Sequence, residues 1–365
     1  MEYSKRTRRL RLAMAKAGWE GLLVTHLPDV RYLCGFSGSN AVLAITARRA
    51  VLFTDGRYTV QAREESSGVR IVIGKQALDN ACALLHGLGL SSVHYDADHT
   101  TVTELGRMQA SLAEHFGAVA RRRFFQPATP YPLPGLREIK DEEELARMEA
   151  AALLGCRLFD TVLHHLKAGT PERAVAAELE FSARGLGADG MSFDTIVASG
   201  VRSSLPHGTA SARPLPPKGF VVIDFGVILS GYCSDMTRTV YMGKPTREES
   251  ATYDAVLKAQ ESAVAAVRAG VPAGEIDRAA RSRLRRAKLA RYFTHSTGHG
   301  VGMEIHEGPR LAAKQQQPLS AGMVVTIEPG VYLPGRFGIR IEDMVVVTEQ
   351  GGRVLTPSTR ELLQL

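Results

Sequence analysis

The stretch Val221-Val222-Ile223-Asp224-Phe225-Gly226 constrains this chain more than any other, because it sets a carboxylate inside an apolar, β-branched run. Such a run reads as a buried strand. A charge within it is costly unless a partner or a cation answers it. A second carboxylate follows eleven residues on, in Ser234-Asp235-Met236-Thr237, with Ser230-Gly231 between the two. Small turn residues between two apolar runs predict a hairpin. With the turn centred between Leu229 and Ser230, Asp224 and Asp235 lie directly opposite each other, their Cβ atoms roughly 4.5–5.5 Å apart on one face. A one-residue slip in register would put them on opposite faces. Two carboxylates held that close repel unless they share a proton or a cation. The residues that follow favour a metal.

Three downstream groups supply further donors. The first is His295-Ser-Thr-Gly-His299-Gly-Val-Gly302, with His306 beyond it. Glycines on both sides of His299 argue against a helix and for close approach of the backbone to a ligand. The second is Thr326-Ile-Glu328-Pro-Gly330, a strand ending in Pro-Gly. The third is Gly338-Ile-Arg340-Ile-Glu342-Asp343, where alternation puts Arg340 and Glu342 on one face. Plainer roles stand beside the first and the third: a loop histidine with no role, and an Arg340–Glu342 surface pair. Together, two Asp, one His and two Glu form an oxygen-rich set with one imidazole. That set suits Mn²⁺, Co²⁺, Fe²⁺ or Zn²⁺ rather than a thiolate zinc site. Four carboxylates can balance two divalent cations, which in paired sites sit about 3.5–4 Å apart and share a hydroxide nucleophile. The implied chemistry is hydrolysis of an unreactive bond.

A length of 365 residues predicts two domains. No run of about 18 apolar residues occurs, so no membrane span is expected. Residues 1–16 are basic and helix-periodic, without the apolar centre of a signal peptide. Cys34, Cys82, Cys156 and Cys233 are far apart, with no C-x-x-C spacing. They predict free thiols and a reducing, cytoplasmic setting. Cys233 shares alternation parity with Asp235 and is expected to pack rather than ligate. The net charge of +7 raises nucleic-acid binding as an alternative. Its two clusters, Arg121-Arg122-Arg123 and residues 281–291, lack the interleaved aromatics of a stacking platform. The second repeats with helical spacing and reads as a solvated face.

Periodicity predicts a helix over 4–17, strands over 21–25, 31–36, 41–46 and 50–53, a helix to 65, a strand over 69–73, a helix over 77–87, a strand over 92–95 and a helix over 102–116. Strands alternating with helices indicate an α/β domain. Residues 126–135 contain four prolines, which excludes a helix or an inner strand there. The expected layout is a first domain over 1–128, a proline-rich linker over 129–136 and a second domain over 137–365. The second opens with a long helix to about 166, its first turn carrying Asp141-Glu-Glu-Glu144. Thr170-Pro171-Glu172 supplies a cap and an N1 proline for the next helix, to about 185. A strand over 193–199 and a loop over 200–212 precede the hairpin over 220–242. Thr246 and Glu249 form a capping box for a helix to 270. A further helix covers 275–290, and strands cover 323–328, 338–347 and 353–355. Helices followed by paired strands, twice over, predict an α+β domain with antiparallel sheet.

The order Asp224, Asp235, His299, Glu328, Glu342 resembles the metallopeptidases of the pita-bread fold, peptidase family M24: methionine aminopeptidase, aminopeptidase P and prolidase. The local strings are Val-Ile-Asp224-Phe-Gly, Tyr-Cys-Ser-Asp235-Met-Thr-Arg, Ser-Thr-Gly-His299-Gly-Val-Gly, Ile-Glu328-Pro-Gly and Arg340-Ile-Glu342-Asp. All five ligand positions are filled, which separates the chain from creatinase and from non-catalytic members of the fold. Ile196-Val-Ala-Ser-Gly200 with Leu205-Pro-His207-Gly208 resembles the substrate-side loop of the Xaa-Pro branch, and Glu304-Ile-His306-Glu-Gly-Pro309 its second substrate histidine. Tyr32-Leu-Cys-Gly-Phe36-Ser-Gly-Ser and Asp55-Gly-Arg-Tyr58 look like the creatinase-type N-terminal domain of short bacterial aminopeptidase P relatives. The resemblance implies metal ligation by Asp224, Asp235, His299, Glu328 and Glu342, with two divalent ions, Mn²⁺ foremost. It implies Glu328 as general base, His207 and His306 assisting at the carbonyl, and His207, His306 and Arg340 positioning the substrate. His295 carries no firm role beyond support of a ligand. The implied activity is that of an Xaa-Pro aminopeptidase, with Xaa-Pro dipeptidase as the alternative and a non-catalytic peptide- or nucleic-acid-binding protein as the rival from another class. A homodimer and a proline-containing peptide substrate are the implied partners.

Overall fold

A computed structural model describes residues 1–115 and 117–365, which divide into two compact units, Met1–Arg137 and Glu138–Leu365. The first is built on one mixed six-stranded sheet. Its strands run in the order Arg70–Ile73, Ala50–Thr54, Ala41–Thr46, Gly21–Val24, Val93–Tyr95 and Phe125–Pro127. The three strands Gly21–Val24, Ala41–Thr46 and Ala50–Thr54 pair antiparallel, and the outer pairings are parallel. Every residue of Gly21–Val24 and Ala41–Thr46 is buried, as strands covered on both faces must be. Leu23, Val42 and Phe53 pack against Leu78, Cys82 and Leu85 of the helix Ala77–Gly87.

Three local expectations fail here. Residues 31–36 are not a strand: Leu27–Cys34 is a helix with proline in its first turn, ended by Gly35 at φ 92°. The apolar run hid a helix because Val30, Leu33 and Cys34 are buried at spacings of three and four as well. The helix from Val102 ends at Ala110, and the expected end at Phe116 lies outside the described residues. The proline-rich stretch holds regular structure after all. Pro127 closes an edge strand and Pro134 is the second residue of the helix Leu133–Glu138. Both are positions where a missing N–H costs nothing.

The second unit repeats one plan twice. Helices Glu142–Val162 and Glu172–Gly185 cover an antiparallel sheet of Ile196–Ser199, Gly219–Phe225 and Met236–Met242, sharing a core of Leu158, Phe159, Leu179, Val221, Ile223 and Val240. Helices Arg247–Ala266 and Ala273–Arg286 cover a second core with Val325, Ile327, Ile339 and Val345 from the strands that follow. Capping boxes start two of these helices, Asp141 with Glu144 and Thr246 with Glu249. Thr170 does not cap: Pro171 stands at the N-cap and Glu172 is the first helical residue. The helix expected to reach 270 ends at Ala266.

The two halves are sewn together by their strands. Glu342 N–H donates to Thr237 O (3.1 Å), and Thr239 Oγ1 donates to Arg340 O (2.8 Å). This is the pita-bread arrangement, and the seam is where the predicted site residues gather.

Candidate active site

The hairpin forms, but in a different register. Asp224 pairs with Thr237 and Ile228 with Cys233, so the turn is centred between Ser230 and Gly231. Both turn residues have positive φ, 52° and 78°, the conformation that matches the twist of a two-residue hairpin. The expectation that Asp224 faces Asp235 directly is therefore corrected by two positions. A shift of two preserves the face. Thr237 stands opposite Asp224 and Asp235 is its diagonal neighbour, so both carboxylates still serve one site.

His299 lies on the short strand Gly298–Gly300. A Cβ at Gly298 would lie 1.9 Å from Thr326 O, and one at Gly300 1.8 Å from Gly308 O. The flanking glycines thus admit the neighbouring strands, rather than a ligand, against the backbone. His299 Nδ1 donates to Gly300 O (3.0 Å). That fixes the tautomer and leaves the Nε2 lone pair facing inward. Nε2 is 3.6 Å from Asp235 Oδ2 and 3.6 Å from Glu328 Oε1. These separations are too long for hydrogen bonds and suit donors that share a cation at about 2.0–2.2 Å each. Asp235, His299 and Glu342 each offer a ligand atom within 4.8 Å of the others. Asp224 Oδ1 is buried without a hydrogen-bond partner among the described residues.

The electrostatics agree. Burial first, then repulsion from Glu342, Asp224 and Glu328, pushes the Asp235 carboxyl well above the usual range. Glu342 is raised likewise by burial and by Glu328 and Asp224. Burial drives Glu328 up to about 8. His295 and His299 are pushed down to about 4, chiefly by burial. Carboxylates that resist ionisation together and an imidazole that stays neutral describe a site completed by positive charge. The donor set fits divalent cations.

This has a consequence for stability. The favourable contribution of protonated Glu328 is fully present below its unfolded value near 4.5 and is lost as pH rises through about 8. The histidines act in the opposite sense, losing stability as pH falls from 6.5 through about 4. Only the carboxylates therefore operate between pH 6.5 and 8. Urea unfolding of the chelated protein is expected to show stability falling across that window by roughly 2 kcal/mol. With a divalent cation bound the fall is expected to disappear, because the cation takes the place of the proton. A chelated protein equally stable at both ends would contradict the repulsion described here.

Arg340 is buried, and the protein engages it on every side. Nε donates to Thr237 Oγ1 (3.1 Å), one terminal nitrogen to Tyr332 OH (2.7 Å) and Pro206 O (3.0 Å), and the other to the Asp224 carboxylate. Tyr332 OH in turn meets His295 Nε2 (2.9 Å), whose Nδ1 donates to Ser296 O (2.8 Å). Thr237 Oγ1 donates to Glu342 Oε2 (2.7 Å). One pocket of 610 Å³, within the range of small-ligand sites, is lined by all eight predicted site residues: His207, Asp224, Asp235, His299, His306, Glu328, Arg340 and Glu342. His306 packs edge-on against His299, ring centroids 4.5 Å apart.

Sequence reasoning missed Thr237, Tyr332 and Arg310. Thr237 had a signal, since polar residues in a wholly buried strand such as Met236–Met242 demand partners. Tyr332 had none beyond its strand, and Arg310 is an exposed arginine whose place on the pocket wall follows only from chain folding. Cys233 is buried, its thiol 3.7 Å from Met303 O.

Carboxylates and one imidazole converging at the seam of two antiparallel half-domains, in a chain that also carries a mixed α/β unit, define a metal-dependent hydrolase. The chain belongs to metallopeptidase family M24, whose model matches residues 146–349; the creatinase/prolidase N-terminal domain matches residues 6–121. It is a metallopeptidase, with divalent metal ions as its cofactor. It is 38% identical to an uncharacterized peptidase, YqhT, of Bacillus subtilis, over 98% of this chain and 99% of that one. Its structure resembles the Xaa-Pro dipeptidase from Bacillus anthracis (TM-score 0.93, 38% identity, all of both chains). It also resembles the X-Pro aminopeptidase from Thermotoga maritima (TM-score 0.89, 35% identity, 99% of this chain and 100% of that one).

Proposed function

We propose that this enzyme hydrolyses the Xaa-Pro bond and acts as an Xaa-Pro dipeptidase, with Asp224, Asp235, His299, Glu328 and Glu342 holding two divalent cations, Mn²⁺ first among the candidates. Bound there, such ions supply Lewis-acid polarisation of a carbonyl and a lowered pKa for water. The observation that carries the reading is the convergence of those five donors with His207, His306 and Arg340 on one pocket. Glu328 is read as the group that accepts and returns a proton beside those ions. His207 and His306 line the same pocket, and in this reading they bind and position the substrate. Arg340 orients Asp224 and, through Pro206 O, the His207 segment. The Xaa-Pro amide has no N–H, so the pocket needs no acceptor for one.

Arg310 favours the dipeptidase over the aminopeptidase. It is an exposed guanidinium on the wall of a small pocket. In a dipeptide the free carboxylate follows directly after proline, and arginine binds carboxylate in bidentate fashion. A longer peptide has no charge at that point. The Bacillus anthracis dipeptidase, the more similar of the two solved structures above, agrees. The aminopeptidase reading remains the second, on the Thermotoga maritima likeness.

A product assay decides. The chelated, Mn²⁺-reloaded enzyme receives Ala-Pro and Arg-Pro-Pro-Gly, with products read by mass spectrometry. Cleavage of the dipeptide alone is expected, and release of one residue from the tetrapeptide would establish the aminopeptidase. Failure on both with Mn²⁺, Co²⁺ and Zn²⁺ would end the Xaa-Pro reading and bring forward the binding protein. Arg310→Ala is expected to raise KM for Ala-Pro by about tenfold or more, the loss of a charge-assisted pair. An unaltered KM would remove Arg310 from recognition. Four buried free cysteines accord with a cytoplasmic setting, and among the described residues no helix is long and apolar enough to cross a membrane. The homodimer belongs to the same reading and is checked by sedimentation.

A further inference from the structure

The loop over 200–212 carries Pro206 and His207 to the pocket, yet apolar burial holds little of it. Val201 and Leu205 are among its most exposed side chains, at 58% and 48%. Its anchor is one carboxylate. Glu172, with 0% exposure, is the first residue of the helix Glu172–Gly185. Glu172 Oε1 accepts from Ser199 N and Ser199 Oγ, each at 2.8 Å. Oε2 accepts from Ser211 Oγ (2.6 Å), Ser211 N (3.1 Å) and Arg202 Nε (3.0 Å). Ser199 ends the strand before the loop and Ser211 lies at its far end, so one side chain closes the neck. Backbone bonds double the closure, Glu172 N to Arg213 O and Arg173 N to Ser211 O, both 2.9 Å. Inside the loop Arg202 donates to Thr209 O (2.6 Å). Beyond the neck, Gly338 N–H donates to Ser203 Oγ (2.8 Å) and Arg340 to Pro206 O.

Five donors more than fill the roughly four lone-pair sites of a carboxylate. Burial works against the charge, but the bonds from Ser211 and Ser199, with Arg202, outweigh it and hold the carboxyl below its ordinary range. A neutral amide cannot substitute, since its NH₂ would face N–H and O–H donors. We infer that Glu172 is a positioning residue for substrate capture: by clasping both ends of the 200–212 loop it sets the pose of His207 in the pocket. Glu172 has no exposed surface of its own, so its effect on substrate passes through the loop. The inference rests on the reading of His207 as a substrate-side group.

The test is Glu172→Gln in the full-length Mn²⁺ enzyme, beside His207→Ala and the double variant. Glu172→Gln is expected to raise KM for Ala-Pro about tenfold with kcat within about threefold of wild type, the signature of lost binding rather than lost chemistry. The double variant is expected to have the KM of His207→Ala alone, because the two act in series. Backbone amide exchange over 200–212 is expected to accelerate in Glu172→Gln, while the strand Gly219–Phe225 keeps its protection. Should Glu172→Gln fail to fold, Ser211→Ala removes a single donor and is read by the same exchange and the same KM. Unchanged exchange over 200–212, or a kcat loss at constant KM, overturns the inference. An unaltered KM in His207→Ala removes instead the reading on which it rests. A raised KM in His207→Ala with a wild-type KM in Glu172→Gln removes Glu172 alone.

Discussion

Glu328→Gln is expected to lower kcat on Ala-Pro by between about 10² and 10⁴, the range spanned by loss of a positioned general base. Glutamine keeps the shape of the side chain but cannot take up a proton. In the metal-free protein burial lifts the Glu328 carboxyl to about 8, against the opposing pull of Arg340; bound cations oppose that rise, so the expected role rests on its place in the pocket beside Asp224, Asp235, His299 and Glu342. Its Oε1 also faces His299 Nε2 at 3.6 Å, so the variant could fail through weakened metal retention. Metal content measured beside kcat separates the two causes. Full occupancy with a low kcat assigns proton transfer to Glu328, whereas full occupancy with wild-type kcat would remove it from the chemistry. The same substitution removes one charge from a repelling set. Its chelated form should therefore lose much of the stability fall between pH 6.5 and 8.

Arg238→Met should destabilise the second unit by about 3–5 kcal/mol, the cost of breaking a buried ion pair from one side. Arg238 is among the largest fully buried side chains. Its guanidinium donates to Asp343 Oδ1 (2.8 Å), Thr359 O (2.8 Å), Ser358 O (3.0 Å) and Thr237 O (3.0 Å), and also to Glu342 O. Asp343 would keep Gln260 (2.7 Å) and Thr356 (2.8 Å), and its one remaining cation among the described residues would be the more distant and more exposed Arg360 (3.3 Å). Urea unfolding monitors the loss. A second variant, Arg238→Met with Asp343→Leu, should recover part of it, because the stranded charge goes with its partner. A single variant within about 0.5 kcal/mol of wild type, the range of ordinary surface changes, would show the pair to be dispensable. Because Arg238 grips the carbonyls of Thr237 and Glu342, weaker metal retention should accompany the loss.

The site was legible where chemistry is written in local strings. Asp224 and Asp235 announce themselves as charges in apolar strands, and Glu328 and Glu342 follow at strand ends. The mixed-sheet first unit and the antiparallel second unit follow from periodicity, with boundaries shifted by a few residues. The failures have physical reasons. The helix Leu27–Cys34 and a strand share the same apolar run, and length cannot separate them at eight residues. The hairpin register turned on Ser230 and Gly231 both adopting positive φ, which places the turn one residue later than the midpoint of the two carboxylates.

The sequence by itself determined the residue types: five donors fit for divalent cations, in an order that identifies their family, and apolar patterns that bury them. What the tertiary structure alone decided is who stands beside them. Tyr332 between Arg340 and His295, Arg310 on the pocket wall, and Glu172 at the neck of the His207 loop are separated in sequence from their partners by anywhere from a few residues to more than a hundred. No local pattern encodes such pairs, because a buried polar group must find its partner wherever folding brings one.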